Sequence, residues 1–198
     1  MMENSPAKEK KEMRRQMLIK RDSLNAEERR RAAVLLTERI LGHQWYYRSA
    51  ILLAFASYGS EIDTVEIIRE ALKQGKKVYL PRVMSAEPEQ EELYMDFFRI
   101  FTMDELRPGY RGIPEPSPES EKYVYHREEA PDTLMLMPGV AFDRYRNRIG
   151  YGKGFYDNYL QDKEGLQLRT IGVGFQCQLA EQLPYDERDI RPYQVICV

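Results

Sequence analysis

The chain of 198 residues contains few of the residues that form disulfide frameworks, zinc sites or histidine-dependent active sites. Its two cysteines, Cys177 and Cys197, are too few for a disulfide framework and lack the spacing of zinc ligands. Buried thiols in a reducing compartment are expected instead, which indicates a cytoplasmic protein. Because His43 and His126 are the only histidines, neither a histidine metal site nor a catalytic Ser-His-Asp triad is expected.

Long apolar runs are also missing from the sequence. No stretch approaches the roughly 18 apolar residues needed to span a membrane, and the charged N-terminus is not followed by the apolar segment of a secretory signal. The sequence contains no internal repeat, coiled coil or linker, and its length suits one domain. We therefore expect residues 1–198 to form a single domain of a monomeric protein that has no membrane partner.

Charge is unevenly distributed, although the formal net charge is only −2. Residues 1–31 contain 10 Lys and Arg against 6 Asp and Glu, whereas residues 85–132 contain 5 against 13. A basic N-terminal segment is compatible with nucleic-acid binding, but its mixed signs are more typical of the solvated face of a charged helix. Since the overall pI is near 5.9, no nucleic-acid partner is expected.

Apolar periodicity predicts alternating helices and strands. Two helices come first, one over 6–21 and one capped by Asn25 with Glu28 three residues later. A helix that starts at Asp63 or Thr64 and ends before Gly75 follows the first strand. The predicted strands are 50–56, 77–82, 93–98 (paired antiparallel), 133–137, 169–175 and 193–198. This order predicts a three-layer α/β/α, Rossmann-like fold with an open, mostly parallel sheet, flanking helices and two N-terminal helices.

The most informative stretch lies between the strand at 133–137 and a helix-compatible run at 157–161. It contains three alternating glycines, two cations and a carboxylate: Gly150, Gly152, Gly154, Arg148, Lys153 and Asp157. Glycines let the backbone approach a bulky anion, and the start of a helix offers unpaired N–H groups. A carboxylate in reach can hold a magnesium ion. The stretch therefore predicts a polyphosphate site.

The spacing of these glycines matches neither of the standard phosphate loops, G-x-G-x-x-G and G-x-x-x-x-G-K-[ST]. A glycine-rich turn between a core strand and a surface helix therefore remains an alternative. Position in the fold adds support, because three polar clusters follow apolar strands: 57–63, Arg82 and 144–157. Since ligands bind beyond the carboxyl ends of strands in open α/β sheets, we expect these clusters to converge on one cleft.

The string P-G-V-A-F-D followed by R-I-G-Y-G-K-G-F-Y-D, within 138–157, resembles the signature of the 5-formyltetrahydrofolate cyclo-ligase family. Phe155 stands where that family usually has tyrosine. Other segments resemble family motifs in the same order along the chain: 10–14, 55–64, 80–82, 113–116 and 184–189. Several spaced motifs in the right order, spanning most of the chain, are more specific than the glycine loop alone.

The resemblance implies an enzyme that uses ATP and Mg²⁺ to convert 5-formyltetrahydrofolate to 5,10-methenyltetrahydrofolate, with release of ADP and phosphate. In this chemistry the formyl oxygen is phosphorylated and nitrogen 10 of the same folate attacks the activated carbon. The small molecules ATP and folate are then the expected partners. No activated serine or cysteine is required, because the nucleophile belongs to the substrate.

The resemblance also implies roles for individual residues. Arg148 and Lys153 are the implied catalytic residues. The implied ATP-binding residues are Lys10, Lys11, Arg14, Arg148, Ile149, Gly150, Tyr151, Gly152, Lys153, Gly154, Phe155 and Tyr156. The implied folate-binding residues are Phe55, Ala56, Glu61, Tyr110, Tyr151 and Phe155. The implied magnesium ligands are Asp157 and Asp189.

Two other functions stay open on the sequence alone. One is a different α/β enzyme that handles ATP or a sugar phosphate with the same glycine loop. The other is a non-catalytic RNA-binding module that uses the basic N-terminal helix. Individual residues also have structural explanations: Lys10 and Arg14 suit a solvated helix face, Glu61 suits a helix cap, and Asp157 suits the first turn of a helix.

Overall fold

The computed structural model describes residues 6–85 and 93–198. Within these ranges no helix is long and apolar enough to cross a membrane. The α-helices are α1 (Pro6–Asp22), α2 (Ala26–Leu41), α3 (Gln44–Arg48), α4 (Val65–Lys73), α5 (Phe155–Leu160) and α6 (Glu164–Gln167). The strands are β1 (Ile51–Leu53), β2 (Lys77–Ser85), β3 (Leu93–Ile100), β4 (Arg107–Pro108), β5 (Pro114–Glu115), β6 (Thr133–Pro138), β7 (Ala141–Asp143), β8 (Arg148–Ile149), β9 (Thr170–Gly174), β10 (Leu179–Ala180) and β11 (Gln194–Cys197).

The main sheet has six strands in the order β11-β9-β6-β1-β2-β3. All neighbours are parallel except β3, which runs antiparallel to β2 at the edge. The chain builds outward from β1 to β2 on one side, and then from β6 to β9 and β11 on the other. The strand order therefore reverses between β1 and β6, and the carboxyl ends of these two strands flank a crevice of the kind that binds ligands.

Helices cover both faces of this sheet. Successive residues of β1 face opposite sides, as strand geometry requires. Leu52 packs in one apolar cluster with Leu36 of α2 and Ile67 of α4. Ile51 and Leu53 pack in a second cluster with side chains of α5 and α6: Tyr159, Leu160 and Leu166. The predicted mixed α/β arrangement, with a mostly parallel sheet and flanking helices, is confirmed.

Two segments differ from their sequence prediction. The strand predicted over 50–56 pairs only as Ile51–Leu53. Residues 54–56 stay buried but leave the ladder, and the carbonyl of Phe55 accepts a hydrogen bond from the Thr64 hydroxyl at 2.6 Å. The stretch 107–121, predicted as loop throughout, contains the short antiparallel pair β4 and β5.

The two N-terminal helices have different tasks. The predicted capping box of α2 is confirmed, because the Glu28 amide donates to Asn25 Oδ1 at 2.9 Å and the Asn25 amide donates to Glu28 Oε2 at 2.8 Å.

Helix α1 packs on the small sheet formed by β10, β7 and β8. Met17 of α1 lies in an apolar cluster with residues from that sheet and the C-terminal segment: Val140, Ala141, Ile149 and Leu183. This packing brings the basic side chains of α1 to the glycine loop.

We expect Asn25→Ala to destabilise the protein by about 1 kcal/mol, because it removes the side-chain acceptor for the first turn of α2. Urea denaturation followed by circular dichroism measures this change. Asn25→Ser is the matched control, since serine keeps a capping oxygen and should cost only a few tenths of that value. An equal loss of stability in both variants would contradict the capping role.

Candidate functional site

The candidate site lies at the reversal of strand order. A narrow void with no room for a water molecule is bordered by Phe55 and Glu61 after β1, by Pro138 and Gly139 at the end of β6, and by Val173 of β9. A wider groove between α2 and α4, open to solvent, also borders Glu61. The loops that follow β1 and β6 therefore meet where the topology places a ligand crevice, as the sequence predicts.

The glycine loop leaves the small sheet and leads directly into α5. The amide of Val140 donates to the Ile149 carbonyl at 2.7 Å, which anchors the start of the loop. Gly152 and Gly154 have φ values of +95° and +69°, a region that residues with a side chain rarely adopt. A Cβ on Gly152 would lie 3.3 Å from the Arg14 guanidinium. Glycine at position 152 thus serves both backbone conformation and close packing.

The backbone amides of residues 150–155 make no hydrogen bond within the part of the chain that the structure describes. Unpaired amides are expected at the start of a helix, where the first N–H groups lack intrahelical partners. In a glycine-rich loop they form a concave set of donors that suits an anion. Lys153 lies in the middle of this loop, exposed to solvent, and could supply a mobile positive charge.

Helix α1 connects the glycine loop to the C-terminal segment. Arg14 Nε donates to the Gly150 carbonyl at 2.7 Å. Lys10 forms ion pairs with Asp186, at 2.9 Å, and with Asp189. Burial lowers the pKa of Lys10, but the hydrogen bonds that its ammonium donates to Asp189 and Asp186 outweigh the burial and raise that pKa overall. Lys11 is exposed on the same helix. Lys10 and Arg14 therefore form specific contacts with other segments and are not simply charges on a solvated helix face.

The residues at the two ends of the loop are joined by an ion pair. Arg148 Nη2 donates to both carboxylate oxygens of Asp157, at 2.9 and 3.1 Å. The guanidinium is buried and lies 5.7 Å from the centroid of the Tyr156 ring. The amide of Ile190 donates to Asp157 Oδ1 at 3.0 Å. This contact places Asp157 beside the segment that holds Asp189, so the structure brings the two predicted metal ligands to neighbouring positions.

Glu61 is held on a loop that is tied to the N-terminal helices. Its Oε2 accepts a hydrogen bond from the Tyr58 amide at 3.0 Å, so it folds back on its own loop. Arg21 lies 5.6 Å from the centroid of the Tyr151 ring. Burial raises the pKa of Glu61, while the Tyr58 amide, the Tyr151 hydroxyl and the positive charge of Arg21 act in the opposite direction. Glu61 and Tyr151, predicted to bind the same ligand, are brought together.

The aromatic residues predicted to bind folate include Phe55, which borders the void, and the pair Tyr110 and Phe155. Phe55 and Ala56 are buried directly after β1. Tyr110 meets Phe155 edge to face, with ring centroids 6.0 Å apart. The hairpin of β4 and β5, which carries Tyr110, is fixed to β2 because Arg82 Nη1 lies 3.5 Å from the buried Glu115 carboxylate. Phe155 therefore has a flat partner even though it lacks the hydroxyl usual at its position.

The described residues do not form a complete metal site from protein ligands alone. They contain no group of three or more His, Cys, Asp or Glu side chains arranged to hold an ion. Asp157 and Asp189 are each paired with a cation, Arg148 and Lys10 respectively. Such a pair of carboxylates suits only an ion that takes most of its ligands from phosphate and water, as Mg²⁺ does.

Sequence reasoning missed two residues that organise the site. Asp143, part of the P-G-V-A-F-D string but given no role, accepts hydrogen bonds from Tyr145, Asn147 and Leu183 at 2.8–2.9 Å. It thereby fixes both the turn before Arg148 and the C-terminal segment. Arg21 is the second, with a side chain only 3% exposed at the end of α1. The sequence signal for Asp143 is an aspartate that ends an apolar string and precedes a polar turn. No sequence pattern indicates Arg21.

The chain is similar in sequence to known enzymes. The model of the 5-formyltetrahydrofolate cyclo-ligase family matches residues 6–198. The 5-formyltetrahydrofolate cyclo-ligase of Mus musculus is 32% identical over 194 residues, which cover 94% of this chain and 92% of the mouse protein. The enzyme of the same name from Escherichia coli K12 is 29% identical over 174 residues, covering 86% of this chain and 90% of that protein.

Solved structures of 5,10-methenyltetrahydrofolate synthetases have a similar fold. The 5,10-methenyltetrahydrofolate synthetase of Aquifex aeolicus superposes with a TM-score of 0.73 at 32% identity, covering 92% of this chain and 86% of that one. The 5,10-methenyltetrahydrofolate synthetase of Mycoplasma pneumoniae shares the fold with a TM-score of 0.69 at 20% identity, covering 94% and 97% of the two chains. Because the family model matches residues 6–198, the chain belongs to the 5-formyltetrahydrofolate cyclo-ligase family.

Proposed function

We propose that the protein catalyses the ATP- and Mg²⁺-dependent cyclisation of 5-formyltetrahydrofolate to 5,10-methenyltetrahydrofolate, with release of ADP and phosphate. The observation that carries this proposal is the row of unpaired amides at 150–155, set between Arg14 and Arg148 at the same sheet edge as Glu61. A polyphosphate site and a carboxylate suited to a pterin thus border one crevice. Family membership supplies the reaction that needs both.

The reaction requires activation of a poor electrophile. A formamide carbonyl resists attack because its nitrogen donates electrons into it. Transfer of the γ-phosphoryl group to the formyl oxygen converts that oxygen into a leaving group. Nitrogen 10 of the same folate then attacks the formyl carbon, loses its proton and closes the ring, and phosphate departs with the electron pair of the carbon–oxygen bond. The protein has to align the formyl oxygen with the γ-phosphorus and stabilise the transferring charge.

Phosphate binding falls to the glycine loop and α1. The amides of Gly150 to Phe155 donate to phosphate oxygens, while Lys10, Lys11 and Arg14 neutralise their charge from α1. Arg148 and Lys153 are the proposed catalytic residues, since they flank and interrupt the loop where the transferred group would lie. The buried guanidinium of Arg148 is preorganised and stabilises the transition state more than a charge in water would, whereas the exposed Lys153 supplies a mobile positive charge. Ile149, Tyr151 and Tyr156 supply the remaining walls.

Folate binding falls to the loop after β1 and to the aromatic wall. The carboxylate of Glu61 accepts hydrogen bonds from the N–H edge of the pterin. Phe55, Ala56, Tyr110, Tyr151 and Phe155 pack against its flat face. The edge-to-face contact of Tyr110 with Phe155 at 6.0 Å supports a wall that is already formed before a ligand enters.

Asp157 and Asp189 are the residues proposed to hold Mg²⁺, directly or through water. When bound, the ion would neutralise phosphate charge. To hold it, Asp157 and Asp189 would give up part of their ion pairs with Arg148 and Lys10, and these two cations would then be available to phosphate. One or two carboxylates with phosphate and water suffice for Mg²⁺.

One assay tests the overall proposal. Protein, ATP, Mg²⁺ and 5-formyltetrahydrofolate are mixed, and formation of the methenyl product is followed by its near-ultraviolet absorbance. We expect a signal that needs all four components. ATP hydrolysis without any folate dependence would instead favour another phosphate-handling enzyme. Folded protein that gives neither signal and binds RNA through α1 would favour the non-catalytic alternative.

Lys153→Ala should lower kcat by about 100-fold or more, because it removes a positive charge from the transferring phosphoryl group. The side chain is exposed and forms no ion pair among the described residues, so the melting temperature should not change. Lys8→Ala, at an exposed position on α1, is the matched control and should leave kcat unaltered. A Lys153→Ala enzyme with normal kcat would remove this residue from the catalytic set.

Asp157→Asn should raise the Mg²⁺ concentration needed for half-maximal activity severalfold, because it removes a charged ligand. A magnesium titration at saturating ATP and folate measures the effect. Asp162→Asn, at an exposed position after α5, should give the wild-type titration. If the Asp157→Asn midpoint equals that of wild type, the aspartate acts only through its ion pair with Arg148 and does not contribute to metal binding.

A further inference from the structure

Arg21 has an unusual environment for an arginine near the end of a charged helix. Its side chain is 3% exposed. The Nε donates to the Ser60 hydroxyl at 2.9 Å, but the buried Nη1 has no hydrogen-bond partner among the described residues. A buried donor of a charged group without an acceptor costs free energy. An acceptor supplied by a ligand would recover that cost.

Arg21, which carries the unpaired donor, lines the void at the reversal of strand order together with Glu61, Phe55 and Gln178. The polar atoms of Gln178 are already used, since its Oε1 accepts from the Phe175 amide at 2.8 Å and its Nε2 donates to the Gly139 carbonyl at 2.7 Å. The lining side chains that can form further hydrogen bonds with a ligand are therefore Arg21 and Glu61. The void has no room for a water molecule in this structure, so a ring edge would reach these two side chains only after the lining side chains move apart.

Several contacts hold the guanidinium in place before any ligand arrives. The Ser60 hydroxyl accepts from Arg21 and donates to Asp22. The Ser60 carbonyl accepts from Arg29 Nη1 at 3.0 Å. The Tyr151 ring covers the guanidinium at 5.6 Å. Because these contacts fix the side chain, a ligand that uses Nη1 pays little entropy for ordering it.

The folate ring presents a matching edge. Its 2-amino group and ring nitrogen 3 are adjacent donors, and the 4-carbonyl oxygen beside them is an acceptor. A carboxylate satisfies the two donors and leaves the acceptor to a neighbouring cation. On the basis of the function proposed above, we propose that Arg21 is a specificity-determining residue that donates from Nη1 to the 4-carbonyl oxygen of the folate, next to Glu61 on the donors.

A comparison of two ligands in two proteins tests this role. The ligands are 5-formyltetrahydrofolate and its 4-amino-4-deoxy analogue, in which an amino group replaces the carbonyl oxygen. Their dissociation constants are measured by calorimetry for wild type, Arg21→Gln and the control Arg30→Gln, whose arginine is an exposed partner of Glu27. Because the analogue also changes the ring edge that faces Glu61, Arg30→Gln and wild type give the preference between the two ligands when Arg21 is intact.

We expect wild type to prefer the formyl folate, and Arg21→Gln to reduce this preference by about tenfold or more, as for a hydrogen bond to a charged group. Arg30→Gln should keep the wild-type ratio. Both ligands are measured on one preparation, so the ratio does not depend on the folded fraction. Arg21→Lys keeps the positive charge but not the planar guanidinium, so it should lose part of the preference for the formyl folate. This variant replaces Arg21→Gln if Arg21→Gln does not fold.

If the ratio of the two dissociation constants in the Arg21 variants equals that of wild type, the proposal is overturned, whether both ligands bind as in wild type or both are weakened equally. Arg21 would then have a purely structural role. These outcomes differ from failure of the proposed function itself, in which wild type would bind neither folate. In that case both proposals would fall together.

Discussion

The reversal of strand order between β1 and β6 is the constraint on which the site depends. The connection after β1 leads to β2 on one side of the sheet order, whereas the connection after β6 leads to β9 on the other side. The loops that follow these two neighbouring strands therefore diverge. The divergence opens a crevice whose walls come from different loops. One loop supplies a carboxylate, Glu61, and the other supplies a glycine-rich set of amides. Two unlike recognition chemistries can therefore face one small space, as a reaction between a nucleotide and a flat organic ring requires.

Charge around this crevice is arranged in balanced pairs. Arg148 pairs with Asp157, Lys10 with Asp189 and Asp186, and Arg82 with Glu115. Most of these side chains are at least partly buried, so removing one member of a pair leaves a charge without its partner. The cations and carboxylates that we propose for phosphate and Mg²⁺ therefore also hold α1, the glycine loop and the C-terminal segment together. Under that proposal, ligand binding would exchange one set of ionic partners for another.

Local patterns predicted much of this structure. Asn25 and Glu28 form the expected capping box, and the edge strand at 93–100 runs antiparallel as its position suggested. The strand after position 50 was predicted too long, because apolar periodicity cannot tell a paired residue from one that stays buried while its carbonyl bonds a threonine. The candidate site residues were predicted from motifs. Their partners were not, since Lys10 and Asp189 lie 179 positions apart and no local signal links them.

The contact between α1 and the C-terminal segment has a consequence for how the protein is made. Lys10 leaves the ribosome before Asp186 and Asp189, which follow it by 176 and 179 positions. Contacts between such distant positions close more slowly than local ones, because loop closure costs entropy before the contact forms. The α1 side of the proposed phosphate site is thus completed later than the local β1–β2 unit. A nucleotide bound there, as we propose, would stabilise the folded protein over partly folded chains that lack this contact.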